Sequence, residues 1–191
     1  MRNCWFTSDT HFGHQGILEY EKESRPFNSV EEMNEAIINR WNNCVSYNDI
    51  VYHLGDVAFG KKNLAHVGRL KGTKILIMGN HDCYPVTEYL PYFKKVFGMV
   101  YFKNCVLSHM PVHSEGLGAR WFLNLHGHLH SNNVQQRLYD IWQMQIDGKD
   151  VDLLKLDRTI HDRNYFNVSV EQNNLTPIHW DLIVERLKEL S

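Results

Sequence analysis

Long apolar runs are missing from this chain of 191 residues. No stretch approaches a membrane span, and the start Met1-Arg2-Asn3-Cys4-Trp5-Phe6 lacks the extended apolar region of a secretory leader. The expectation is a cytoplasmic protein with no membrane partner. Cysteine is scarce as well: Cys4, Cys44, Cys83 and Cys105 are scattered and form no C-x-x-C pair. That argues against a zinc ribbon or a disulfide framework and leaves free, mostly buried thiols, with Cys83 the candidate for oxidation. Net positive charge is also lacking, since the formal charge is -2, so nothing draws the chain onto long nucleic acid. Internal repeats, low-complexity tracts and linkers are absent, which makes 1–191 read as a single domain. Against this background the compositional oddity is twelve histidines.

Their placement carries the argument. Lys74-Ile75-Leu76-Ile77-Met78 reads as a strand buried on both faces, and it runs into Gly79-Asn80-His81-Asp82. Ligands collect at the carboxyl ends of strands in open α/β sheets. There Asn80 would offer a neutral oxygen to a metal, His81 a proton, and Asp82 a carboxylate to orient the His81 ring. Taken alone, the tetrapeptide fits equally well a turn whose Asn and Asp bond local backbone.

Other strand-like runs end in the same residue types. Asn3 to Ser8 delivers Asp9-Thr10-His11, whose Asp and His can point at one ion of the Mn, Fe or Zn kind, and then His14, which either approaches the same pocket or stays exposed. Asp49 to Leu54 delivers Gly55-Asp56; that carboxylate could bridge two cations or cap a helix near Lys61 to Leu70. Val96 to Phe102 and Lys103 to Ser108 read as two strands, the second ending at His109. Trp121 to Leu125 ends in His126-Gly127-His128-Leu129-His130, where His128 and His130 could serve two ions on opposite sides of a turn.

Helical periodicity is clear in two places. Ser29 and Glu32 form a capping box ahead of Val30, Met33, Ile37, Ile38, Trp41 and Val45, and the chain closes on Trp180, Ile183, Val184, Leu187 and Leu190. Arg25, just before the first helix, would either reach a substrate phosphate or be a solvated surface arginine. Residues 131–163 lack a firm period, with a helix over Gln135 to Ile146 and a turn at Asp147-Gly148; we expect an inserted excursion that leans over the site or makes a subunit contact. Phe166 to Val170 returns as a strand.

Asp9 to His11, Gly55-Asp56, Gly79 to Asp82, His109 and Gly127 to His130 are, in order, the blocks D-x-H, G-D, G-N-H-D/E, H and G-H-x-H. In this the chain resembles the calcineurin-like metallophosphoesterases, and the text around Asp9 to His14 and Arg25-Pro26-Phe27 is similar to their small, cap-less bacterial and phage members. The resemblance implies an α/β (α+β) fold, a sandwich of two mixed β-sheets flanked by helices, with a dinuclear metal site at strand carboxyl ends. It implies Asp9, His11 and His130 on one ion, Asn80, His109 and His128 on the other, and Asp56 bridging them. It makes His81 the general acid, steered by Asp82. His14, His113 and His126 fall outside that metal set and are expected only as groups behind the ligands, with His14, like Arg25, a candidate to bind substrate.

The chemistry follows from such ligands. Two cations acidify a shared water into a hydroxide and neutralise phosphoryl charge, and a histidine protonates the leaving oxygen. The cofactors expected are two divalent ions, Mn first, with Fe, Zn or Ni as alternatives. With no large cap to enclose the site, we expect a phosphodiesterase for small nucleotide-like phosphoester substrates, with Tyr84, Trp121 or Tyr139 available to stack a base. The alternatives are a phosphomonoesterase or protein phosphatase, and a catalytically silent protein-binding module of the same fold. A monomer or small homo-oligomer is expected.

Overall fold

Along Cys4–Thr7 (β1), Ile50–His53 (β2) and Thr73–Ile77 (β3), neighbouring side chains enter two different cores, as the period-two geometry of a strand requires. Val51 and Leu76 face a core shared with the helices, whereas Phe6, Leu54 and Ile77 face a core between two sheets. These central strands therefore bury apolar side chains on both faces, as was expected of the run Lys74 to Met78. The computed structural model describes residues 2–117, 121–135 and 162–190.

Among the described residues the first sheet has the order β4-β3-β2-β1-β9, with Lys95–Phe97 as β4 and Ile178–His179 as β9. Strands β1 to β4 run parallel and β9 runs antiparallel to β1. The second sheet has the order β5-β6-β7-β8, from Val100–Phe102, Cys105–Leu107, Leu123–His126 and Tyr165–Asn167. Only the β5–β6 pair in it is antiparallel. The run expected as one strand over Val96 to Phe102 is thus two. The chain passes from one sheet to the other at Gly98-Met99, because β4 pairs with β3 while β5 pairs with β6.

Two short helices, Ile17–Tyr20 (α1) and Val86–Tyr89 (α3), and two longer ones, Val30–Cys44 (α2) and Trp180–Leu190 (α4), flank the sheets. Helix α2 begins as its sequence dictates, with Ser29 Oγ accepting the Glu32 N–H at 3.1 Å. Glu32 reaches back to the Asn28 N–H at 3.0 Å, so the capping box is one residue wider than usual. Its stripe Met33, Ile37, Ile38 and Trp41 is buried, each large side chain contributing roughly 1.5–3 kcal/mol. The helix expected near Lys61 to Leu70 is a 3-10 helix over Lys61–Arg69, opened and closed by i to i+3 bonds such as Asn63 N–H to Gly60 C=O and Leu70 N–H to Val67 C=O. The expected strand at Phe166 to Val170 is cut short, since Val170 opens a 3-10 turn through Asn173. The expected helix over Gln135 to Ile146 lies outside the described residues from position 136 on, as do Asp147-Gly148, Tyr139 and most of the 131–163 excursion. Of the four free thiols only Cys105 is buried; Cys4 and Cys44 are half-buried and Cys83 is exposed.

Candidate metal centre

The carboxyl ends of strands from both sheets meet at one edge of the sandwich. Strand β1 exits to Asp9, β2 to Asp56, β3 to Asn80, β6 to His109, and β7 to His128 and His130. Two glycines let these exits touch. A Cβ at Gly79 would lie 2.2 Å from Asp56 Oδ1, and one at Gly127 would lie 2.0 Å from Ser8 Oγ. No side chain fits at either place.

The result is two groups that could each hold an ion, Asp9/His11/His130 and Asp56/His109/His128, with donor atoms in each within 4.8 Å of one another. Asn80 joins the second group, its Oδ1 lying 2.9 Å from His109 Nε2. Asp56 Oδ2 stands between the groups, 3.3 Å from His109 Nε2 and 3.6 Å from His11 Nε2. Each group takes donors from both sheets.

The protein holds these donors with its own hydrogen bonds. Asp9 Oδ2 accepts from the Ser169 hydroxyl at 2.8 Å and the His128 N–H at 3.0 Å. Asp56 Oδ1 accepts the His81 N–H at 2.9 Å. The His109 ring lies with Nδ1 2.7 Å from the Leu54 carbonyl, and His130 Nδ1 lies 2.8 Å from Glu171 Oε1. A carbonyl and a carboxylate can only accept, so in both rings the Nδ1–H donates and Nε2 is turned toward the place an ion would take. Asp9 Oδ1 and both nitrogens of His11 are buried without a hydrogen-bond partner. Buried polar atoms are nearly always paired, so these orphans fit a divalent cation, and the oxygen–imidazole donor set suits a transition metal.

Electrostatics agree. Burial holds His11 well below its ordinary 6.5, with the Arg25 charge adding to the effect, so the ring is neutral and one of its nitrogens keeps a lone pair. Burial raises the Asp9 carboxyl, opposed by His109 and His130. Asp56 goes the other way, to about 2: burial works against ionisation, but His109, the His81 N–H and His11 outweigh it. Backbone geometry is strained at the same places. Asp9, His11, Asp56, His128 and His130 all have positive φ, between 45° and 68°. For a non-glycine residue this left-handed conformation costs on the order of 1–2 kcal/mol, and it persists where surrounding bonds over-determine it.

The other candidate residues are placed as follows. His81 is exposed, with its ring centroid 5.6 Å from that of His11, so it overlooks the first group. Asp82 does not orient the His81 ring. Its carboxylate accepts the N–H groups of Asp56, Gly79 and Val57, at 2.8, 2.8 and 3.1 Å, which ties the β2 exit to the β3 exit. Arg25 is neither a phosphate reader nor a surface residue. It is fully buried, and its guanidinium is used up by Glu171, the carbonyls of Asp9 and Thr10, and Met33 Sδ. His14 lies outside both donor groups, stacked on Phe59 at 4.4 Å, with the Phe59 ring 49% exposed at the rim. His126 is buried with Nδ1 against the Gly127 carbonyl, and His113 caps a 3-10 turn over Ser114–Gly116. Tyr84 packs near Tyr89 and Trp121 stacks on Tyr101.

Sequence reasoning missed Glu171 and Ser169. Both follow β8, in a segment with no histidine or glycine block to draw attention. The one available signal was that Ser169 and Glu171 stand at the carboxyl end of a strand-like run.

Two sheets with two His/Asp groups at their joined edge define a class of metal-dependent phosphoester hydrolases. The chain belongs to the calcineurin-like phosphoesterase family, whose model matches residues 3–183. It is 35% identical to an uncharacterized protein of Methanocaldococcus jannaschii over 99% of this chain and 93% of that one. It is 27% identical to the gene 66 protein of Mycobacterium phage L5 over 78% of this chain and 74% of the relative. The crystal structure of a protein of unknown function from Aquifex aeolicus matches with a TM-score of 0.69 at 26% identity, covering 97% of this chain and 99% of that one. No helix among the described residues is long and apolar enough to cross a membrane.

Proposed function

We propose that this protein is a dinuclear phosphodiesterase acting on small nucleotide-like esters. Asp9, His11 and His130 would hold one divalent ion and Asn80, His109 and His128 the other, with Asp56 available to both. The single observation that carries the reading is Asp56 Oδ2, within 3.6 Å of a ring nitrogen from each group. When bound, the ions acidify water and offset the charge of the phosphoryl oxygens. Manganese is our first candidate.

The chain's own residues supply the rest. His81 is exposed beside His11, and its backbone is pinned by Asp56 Oδ1. It donates a proton to the departing ester oxygen. The Phe59 ring, backed by His14, lies 6.4 Å from the His81 ring. A flat base or aryl group on that oxygen finds an exposed aromatic face there.

The test is metal analysis of purified protein followed by hydrolysis of bis- and mono-nitrophenyl phosphate with added Mn²⁺. Two ions per chain with turnover of the diester supports the proposal. Turnover of the monoester alone replaces it with a phosphomonoesterase. Protein that takes up no metal and turns over neither ester is a binding module.

A further inference from the structure

The first donor group rests on a buried ion pair that lies outside the five sequence blocks. Arg25 and Glu171 are both fully buried at their side chains. One carboxylate oxygen, Glu171 Oε1, accepts from Arg25 Nε at 2.7 Å, from Arg25 NH2 and from His130 Nδ1 at 2.8 Å. Other Arg25 N–H groups reach the carbonyls of Asp9 and Thr10, the two peptide units that join Asp9 to His11. A single pair thus touches the side chain of His130, the backbone of Asp9 and the peptide that leads into His11. The second group is held differently, with His109 backed by the neutral Leu54 carbonyl.

This contrast has chemical content. A carboxylate behind an imidazole fixes its tautomer and makes Nε2 a stronger electron-pair donor, more so than a carbonyl does. The guanidinium stops that carboxylate from being an uncompensated buried charge. Resting on the proposed two-ion reading, we propose that Arg25 and Glu171 are positioning residues that set the affinity of the ion held by Asp9, His11 and His130, leaving the other ion unaffected.

The test is Mn²⁺ binding by equilibrium dialysis or calorimetry. Glu171→Gln keeps the shape and an accepting oxygen but removes the charge. In it, one of two binding events weakens by about 10–100-fold, the usual effect of losing such a partner, and turnover recovers at high Mn²⁺. A merely structural brace would lower the melting temperature without moving one binding event. Assignment comes from two backgrounds: Glu171→Gln weakens the ion that remains in His109→Ala and does nothing to the ion that remains in His11→Ala.

Should the buried Arg25 charge prevent folding of Glu171→Gln, the neutral double variant Arg25→Gln/Glu171→Gln carries the same measurement. Wild-type affinity in both backgrounds overturns the inference, as does failure of both variants to fold, which would make the pair a brace only. Wild-type protein that binds no Mn²⁺ would instead sink the proposed function itself.

Discussion

Gly79→Ala is expected to disable the centre without replacing a single candidate ligand. The glycine does not have a positive φ, so alanine suits its backbone and the effect is purely steric. The added methyl would lie 2.2 Å from Asp56 Oδ1 and 2.6 Å from the Asp56 backbone nitrogen. Ordinary contact begins near 3.4 Å, so the carboxylate or the loop must retreat by about 1 Å. Neither is free to move, because Oδ1 holds the His81 N–H and the Asp56 N–H is held by Asp82. Overpacking of this kind costs roughly 1–3 kcal/mol of stability, and a displacement of about 1 Å at reacting groups lowers turnover on the order of 10²-fold. The assay is thermal unfolding, metal content and diester turnover, set against Gly98→Ala, where a Cβ meets nothing within 4 Å. If Gly79→Ala matches Gly98→Ala in metal content and turnover, the close packing of the β2 and β3 exits does not matter and the geometric account fails.

Three other outcomes are expected. His81→Ala keeps its metals but loses about 10²–10⁴ in turnover of esters with poor leaving groups, while an activated nitrophenyl ester suffers much less; equal losses on both would remove His81 from the acid role. Phe59→Ala raises KM for a nucleoside ester roughly ten-fold and barely alters that for a methyl ester, which steady-state kinetics on the two will show. His53 is buried, its Nε2 2.9 Å from a Thr10 hydroxyl already donated to Val57, and burial holds its pKa down near 3. Since the folded state takes up this proton less readily than the unfolded chain, its contribution is complete above the unfolded value of 6.5 and is lost as pH falls from there toward 3, at about 1.4 kcal/mol per pH unit. In urea unfolding, His53→Gln should flatten the acid limb by that slope, and an unchanged limb would refute the assignment.

The site's positions were legible because each lies at the end of an apolar run that reads as a strand, so Asp9, Asp56, Asn80, His109, His128 and His130 announce themselves locally. What holds them was not legible. Asp82 looked like a partner for the adjacent ring, and only the folded chain shows its oxygens taken by three peptide N–H groups, two of them from 25 and 26 residues away. Arg25 looked available to solvent because nothing nearby in sequence pairs with it; its partner, Glu171, is 146 residues on. The division of 95–102 between two sheets was hidden for a related reason. A β-propensity signal says that a run is extended, and pairing partners far along the chain decide which sheet it joins.

Five of the seven candidate ligands are held in a left-handed backbone that glycine or asparagine would occupy with less strain. Swapping these aspartates and histidines for residues that relax there would firm the scaffold while it removes the donors. In that sense the empty fold carries these five donors against the preference of its own backbone.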